Sequence, residues 1–239
     1  MNISGFEIIC LDEVGSTNDA AKDYAQKAAG QKLVIAAKRQ TAGRGRRGRS
    51  WLSLDGNLFF SMLFEFELKN LGKLIMASAL SLLDAIKQYD KTADVVLKWP
   101  NDVLLNGAKV SGILLEKGEG EYMITGIGVN IRQSPQGADM LYPTTSLKAA
   151  GIETTPDEFL HKYLFEFTAN LKLANEDLRQ KWLDNAKGIG AEIVVRQNGQ
   201  EQKGIFMGID ENADLLLKTE REEEKILAGD VFYVGEENG

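Results

Sequence analysis

The stretch LGKLIMASALSLLDAIKQY, residues 71–89, places apolar side chains at i, i+3, i+4 and i+7, with no proline and no glycine past its second position. That period commits it to a long helix with a face to bury, and such a helix must lie on something apolar. Strand-like runs supply it on both sides. GFEIICLDEVGST, KLVIAAKRQ and NLFFSMLFEFEL precede the helix; DVVLKWPNDVLLN, AKVSGILLEKG and EYMITGIGVNI follow it, the first two of these divided by the turn dipeptide Asn106-Gly107. STNDAAKDYAQKAAG reads as an alanine-rich helix opened by capping residues and closed by Gly30, and TPDEFLHKYLFEFTANLKLANEDLRQKWLDNA adds one or two more. Long helices among such strands predict an α+β fold, a mixed sheet with flanking helices. Near Gly188 the helical period stops. Short alternating strands broken by Asn198-Gly199, DENAD and Ala228-Gly229 predict a small C-terminal β-barrel, so the domains fall at 1–187 and 188–239.

The 239 residues suffice for about one or two cores. No apolar run reaches the roughly 20 residues of a membrane span, and the N-terminus has neither a basic start nor a cleavage site, so a cytoplasmic protein with no membrane partner is predicted. Cys10 is the only cysteine, which excludes an intrachain disulfide and a thiolate zinc cluster. His161, the only histidine, lies in a segment of helical spacing and lacks a second histidine with which to form a metal pair. A formal net charge of −7 argues against general coating of nucleic acid.

Against that acidic background, GRGRRGRSW at 43–51 sets Arg44, Arg46, Arg47 and Arg49 within six residues. Guanidiniums so close repel one another unless an anion lies among them, and the intervening glycines let the backbone fold tightly around one. The segment reads as a loop between two apolar strands that closes on an anionic ligand, with Trp51 able to cover an apolar one. KWPND at 98–102 holds Lys98, Asn101 and Asp102 at a strand end behind Pro100; alone it is equally a lysine beside an ordinary turn. STND at 16–19 caps a helix, and its hydroxyls and exposed amides also suit a polar head group. GIGVN at 126–130 is either close packing or close approach of backbone to a flat ligand. No P-loop is present, and GIGVN lacks the context of a dinucleotide fold.

In this order, STND, KRQTAGRGRRGRSW, KWPNDV, KVSGILLE and GIGVN closely resemble the biotin–protein ligase family, over roughly residues 5 to 235. The resemblance implies a catalytic core akin to class II aminoacyl-tRNA synthetases followed by an SH3-like barrel. It also implies biotin and MgATP as substrates, biotinyl-5′-AMP as intermediate, a biotin carboxyl carrier protein as acceptor, and no redox or prosthetic cofactor. The DNA-reading N-terminal module of some members is not expected, because the catalytic strand begins almost at Met1; hence no DNA partner. A homodimer through strand edges is left open. By resemblance, Lys98 and Arg46 are catalytic. Ser16, Thr17, Asn18, Gln40, Gly43, Arg44, Arg46, Trp51, Lys98, Gly112, Gly126 and Gly128 hold biotin. Arg46, Arg47, Arg49, Trp51, Lys98, Asn101, Lys109 and Asn130 serve ATP, and no metal ligand is assigned. The rival readings are a lipoate or octanoyl ligase or transferase of the same fold, which lacks this Arg-Gly loop, and an anion- or RNA-binding module.

Overall fold

The computed structural model describes residues 2–25, 30–137, 142–197 and 199–234. Eight strands form one sheet: β1 Asn2–Ile3, β2 Phe6–Val14, β3 Leu33–Gln40, β4 Leu58–Glu65, β5 Val95–Lys98, β6 Asp102–Leu105, β7 Ala108–Lys117 and β8 Tyr122–Val129. Their order is β1-β2-β3-β4-β8-β7-β6-β5. Only β2 and β3 run parallel, as their helical connection requires. That connection contains α1, Thr17–Ala25; the remainder of the helix read from the sequence, 26–29, lies outside the described residues.

The sheet is mixed and flanked by helices, as the sequence predicts. One face carries the main core beneath α2 (Leu71–Lys87), α3 (Pro156–Asn170) and α4 (Asn175–Asp184). The other carries α1 over a smaller cluster that includes Ala21, Ala25, Leu33, Ile35, Leu63 and Ile124. Covered on both faces, β4 is apolar at nearly every position, as LFFSMLF shows. Its alternation remains informative. Leu58, Phe60, Met62 and Phe64 enter the main core, whereas Leu63 faces α1 and Ser61 hydrogen-bonds to that helix. α3 starts at a capping box, in which Thr155 and Glu158 satisfy each other's backbone amides behind Pro156. His161 sits within α3, and Cys10 is free and exposed on β2.

Two readings of the sequence change. DVVLKWPNDVLLN is a hairpin, β5 and β6, turning at Trp99-Pro100, whose peptide bond is cis. The C-terminal strands, β9 Glu192–Gln197, β10 Gln200–Ile209, β11 Leu215–Lys218, β12 Glu223–Ile226 and β13 Asp230–Tyr233, form an antiparallel sheet in the order β12-β11-β10-β9-β13. Among the described residues β12 and β13 do not pair, so the predicted barrel is an open sheet here. Asn198 lies outside the described residues.

The C-terminal sheet is fixed to the first. Leu97 accepts from the amide of Lys187 at 2.8 Å, Trp99 Nε1 donates to the Ala213 carbonyl at 2.9 Å, and Gly72 at the start of α2 leaves no room for a Cβ against the backbone of Asn212. No described helix is long and apolar enough to cross a membrane.

Phe60 is fully buried, with its ring 5.2 Å from that of Tyr163, so it joins sheet to α3. Phe60→Ala is expected to cost about 3–5 kcal/mol in urea unfolding, the range for deleting a buried aromatic ring. A loss under about 1 kcal/mol would contradict this packing.

Candidate active site

The site begins with small residues standing in rows across the sheet. Asp102 of β6, Gly112 of β7, Gly128 of β8 and Phe59 of β4 are successive cross-strand partners, and beside them run Leu114, Gly126 and Ser61. These rows face the α1 side: the N-terminal residues of that short helix meet Ser61 and Gly126, and the row of Gly112 and Gly128 is left to the indole of Trp51. Glycine is required sterically: a Cβ on Gly126 would strike the side-chain oxygen of Asn18, and one on Gly128 would strike the indole of Trp51. What remains is a cavity of about 390 Å³, within the range of small-molecule sites.

One end of the cavity is a hydrogen-bonding socket. Ser16 caps α1, with its Oγ accepting from the Asn18 amide at 3.3 Å. Gln40, at the end of β3, accepts at Oε1 from the Thr17 amide at 2.8 Å. Ser61 Oγ lies 2.8 Å from Thr17 Oγ1 and 2.6 Å from Asn18 Oδ1, and Asn18 Nδ2 donates to Glu116 at 3.1 Å. The amide of Asn18 is thus oriented by partners on both sides.

The roof is the Arg-Gly loop, folded as a tight hairpin. Gly45 donates its amide to the Arg49 carbonyl at 2.7 Å, Trp51 donates to Gly43 at 2.9 Å, and a 3-10 turn spans Arg46–Gly48. The sequence predicts a loop held open by its own charge until an anion arrives. The protein instead supplies internal carboxylates. Arg44 makes a two-pronged contact with Asp19 and reaches Glu116 at 3.2 Å; Arg47 and Arg49 share Asp230, at 3.1 and 2.9 Å. Arg46 differs: it donates to the neutral Asn101 at 3.1 Å, and burial, with Arg47 and Arg49 nearby, lowers its pKa.

The hydrogen bond from Arg44 holds Asp19 below the usual carboxylate range, and Asp19 in turn raises the Arg44 pKa. Burial pushes Glu116 upward, but bonds from Lys22 and Asn18 and the charge of Arg44 outweigh it, and the net shift is downward. Both folded-state pKa values lie below the unfolded ones. The stability these pairs add is therefore complete above the ordinary carboxylate range and is lost as pH falls through the lowered values.

The two candidate lysines separate. Lys109 lines the cavity, its Nζ 2.6 Å from Asp102 and 5.5 Å from the Trp51 ring. Its backbone is held by the 143–145 segment, through Pro143 and Thr145. Lys98 is only 5% exposed and lies outside the wall, with its Nζ 3.1 Å from the ring centroid of Tyr142, which does line the cavity. Gly43 and Arg47 are outside the wall too, and Gly43 serves instead to let the loop turn against Trp51. The other residues named from the sequence are brought together: Ser16, Thr17, Asn18, Gln40, Arg44, Arg46, Arg49, Trp51, Asn101, Lys109, Gly112, Gly126, Gly128 and Asn130. Sequence reasoning missed Asp19, Ser61, Glu116, Tyr142 and Asp230, and gave Asp102 no role. Only Ser61 carries a local signal, as a hydroxyl inside an otherwise apolar strand.

Among the described residues the wall holds Arg44, Arg46, Arg49 and Lys109 against one carboxylate, Asp102. A cavity in a mixed sheet that joins a hydrogen-bonding socket to a set of cations is the kind of site that takes a small anionic ligand. The family is specific: residues 11–131 match the model of the biotin/lipoate A/B protein ligase family, and 188–234 match that of the biotin protein ligase C-terminal domain. The chain belongs to this ligase family.

It is 35% identical to biotin–[acetyl-CoA-carboxylase] ligase of Paracoccus denitrificans, over 94% of this chain and 100% of that one. It is 31% identical to the enzyme of that name from Mycobacterium tuberculosis, over 94% and 89%. The biotin protein ligase of Aquifex aeolicus, solved with biotin and ATP, superposes with a TM-score of 0.80 at 31% identity, covering 95% of this chain and 98% of that one.

Because Arg44 ties the loop to α1, Asp19→Asn should loosen it. Tryptic cleavage within residues 44–49 should accelerate about threefold or more, as local opening becomes easier. An unchanged cleavage rate would show that Asp19 does not restrain the loop.

Proposed function

We propose that this chain joins biotin to ATP, giving biotinyl-5′-AMP and pyrophosphate, and passes the biotinyl group to a lysine of a biotin carboxyl carrier protein. The observation that carries the reading is the cavity itself, in which a socket of Ser16, Thr17 and Gln40 opposes Arg46 and Lys109 across a floor of glycines. In this reading the ureido head of biotin meets the socket and its rings lie on Gly112, Gly126 and Gly128. The carboxylate then points toward the cationic end. Biotin and ATP occupy the Aquifex aeolicus relative together, and named relatives acylate a carboxylase.

In the first step a carboxylate oxygen bonds to the α-phosphorus while the bond to pyrophosphate breaks. Two anions in contact repel by about 4 kcal/mol at the effective dielectric of a partly screened site. Fixed positive charge must therefore precede them. Arg46 is partly stripped of water and Lys109 is held by Asp102, so both are placed before the charge arrives. We assign to Lys109 the bridging role that the resemblance gave Lys98, because Lys109 reaches the cavity and Lys98 is screened by Tyr142. In the second step the carrier's neutral amine attacks the acyl carbon, the bond from that carbon to the bridging oxygen breaks, AMP leaves with that oxygen, and the new amide sheds the amine's proton to solvent. Trp51 and the loop exclude water meanwhile.

Magnesium would accompany the nucleotide, neutralising phosphate charge. No described group of three or more metal-binding side chains exists. Asp102, the one carboxylate of the described wall, is the side chain that would reach such an ion, sharing its charge with Lys109. We also assign residues 188–239 to an SH3-like module, on the grounds that the helical pattern ends before it and that its described strands pair only with one another. We infer a cytoplasmic location, as suits a reaction that draws on ATP and a carboxylase subunit.

Biotin-dependent exchange of pyrophosphate into ATP tests the reading; exchange that responds to lipoate or octanoate instead would overturn it. Lys109→Ala should lower adenylate formation by about 10²–10³, the scale for losing one electrostatic stabiliser. Lys98→Ala should be much milder, and the reverse ranking would return the role to Lys98. Gly126→Ala, by displacing Asn18, should raise the KM for biotin about tenfold with little change in kcat, as loss of uniform binding does.

A further inference from the structure

Asp230 opens β13 in the C-terminal sheet, yet both of its carboxylate oxygens are spent on the loop of the catalytic domain. Oδ2 accepts from Arg47 Nη1 at 3.1 Å and Oδ1 from Arg49 Nη2 at 2.9 Å. Arg196 faces Asp230 across the β9–β13 ladder and is a competing cation. Its guanidinium is occupied elsewhere, with Nε on Glu201 at 2.6 Å and the group 4.3 Å from the Phe232 ring centroid. The Arg196 carbonyl adds a second anchor for Arg47 Nη1, at 3.1 Å.

We propose that Asp230 is a positioning residue of the ligase: by gathering Arg47 and Arg49 onto one carboxylate it presents Arg46 to the cavity and makes retention of the acyl-adenylate depend on the C-terminal sheet. Arg46, Arg47 and Arg49 share a single tight turn, in which Arg49 donates both its amide and its Nε to the Arg46 carbonyl, each at 3.2 Å. Fixing the second and fourth residues of that turn fixes the first. Arg47 holds φ 56°, the left-handed region that side chains other than glycine seldom adopt. Its anchored side chain keeps it there. Asp230 is 18% exposed at its side chain, so the shared contact is better protected from solvent than an ordinary surface pair. Without that carboxylate three guanidiniums would crowd one turn with only Asp102, already paired with Lys109, as a counter-charge nearby, and Arg46 would lose its fixed direction.

The inference rests on the ligase reading, and the test separates the two. Preformed biotinyl-AMP is chased from wild type, Asp230→Asn, Arg49→Gln and the double variant, and adenylate formation is followed in the same preparations. Asp210→Asn is the control, because Asp210 holds the turn at 210–214 in the same sheet through the amides of Asn212 and Asp214. Each single variant should release the adenylate about fivefold faster or more, and the double should be no faster than the quicker single, as expected for one shared interaction. Asp230→Glu, which keeps the charge, should recover most of the retention, and Asp210→Asn should stay within about twofold of wild type. Release from Asp230→Asn within about twofold of wild type, additive effects in the double variant, or an equal effect of Asp210→Asn would each overturn the proposal. Should Asp230→Asn fail to fold, Arg49→Gln alone decides, since it cuts the same contact from the loop. Wild-type protein forming no biotin-dependent adenylate would sink the ligase reading instead.

Discussion

Glycines at 112, 126 and 128, with Ser61 beside them, leave one face of the sheet hollow. The rest of the site follows from that hollow. α1 is too short to cover it, so the helix ends against it with its capping residues exposed to the cavity, and the loop after β3 arches over the remainder. Trp51 and Asn18 occupy the space that a β-carbon would otherwise claim. On the opposite face α2, α3 and α4 pack the same strands completely. A rigid core on one side thus supports an adjustable cavity on the other, and binding groups stand on elements whose positions are already fixed.

Charge is arranged on the same plan. A chain with net charge −7 concentrates cations around one cavity and neutralises them from outside with its own carboxylates. Asp19 and Glu116 take Arg44 on the α1 side, and Asp230 takes Arg47 and Arg49 from the C-terminal sheet. Of the four, only Arg46 is paired with no carboxylate among the described residues; its side-chain partner is the neutral Asn101. An incoming anion therefore meets one guanidinium that lacks a paired carboxylate and one lysine held by Asp102. Preorganisation of this kind places the cost of gathering like charges in folding, not in the chemical step.

Much of this was legible in the sequence because it is local. Helical period located α2 and α3, the alternation of apolar residues located most strands, and the Arg-Gly spacing marked the loop. What escaped was set by partners far along the chain. Asp230 lies 183 residues from Arg47, and nothing in its own neighbourhood distinguishes it from other acidic residues of that region. The hairpin at Trp99-Pro100 was read as one strand because VVLKW and DVLL are each apolar and the turn between them is brief. The C-terminal strands alternate as barrel strands do, but closure depends on whether first and last strands meet, which alternation does not encode.

The exchange of roles proposed for Lys98 and Lys109 turns on where the sheet places each. In sequence, Lys98 stands beside proline and paired polar residues, the usual dress of a functional turn, whereas Lys109 opens KVSGILLE, a strand whose local pattern names no chemistry for it. Topology reverses their prospects. β5 is the edge of the sheet, and Lys98 at its end is buried under the ring of Tyr142. β7 lies two strands further in, next to the glycine rows, so a lysine near its start extends over Gly112, with its Nζ 3.3 Å from where a Cβ would stand. An ammonium over a glycine meets no side chain between itself and the cavity, while one beneath an aromatic ring must displace that ring to reach a ligand. The lysine able to meet two anions without rearrangement is therefore the one that the sheet, not the motif, selects.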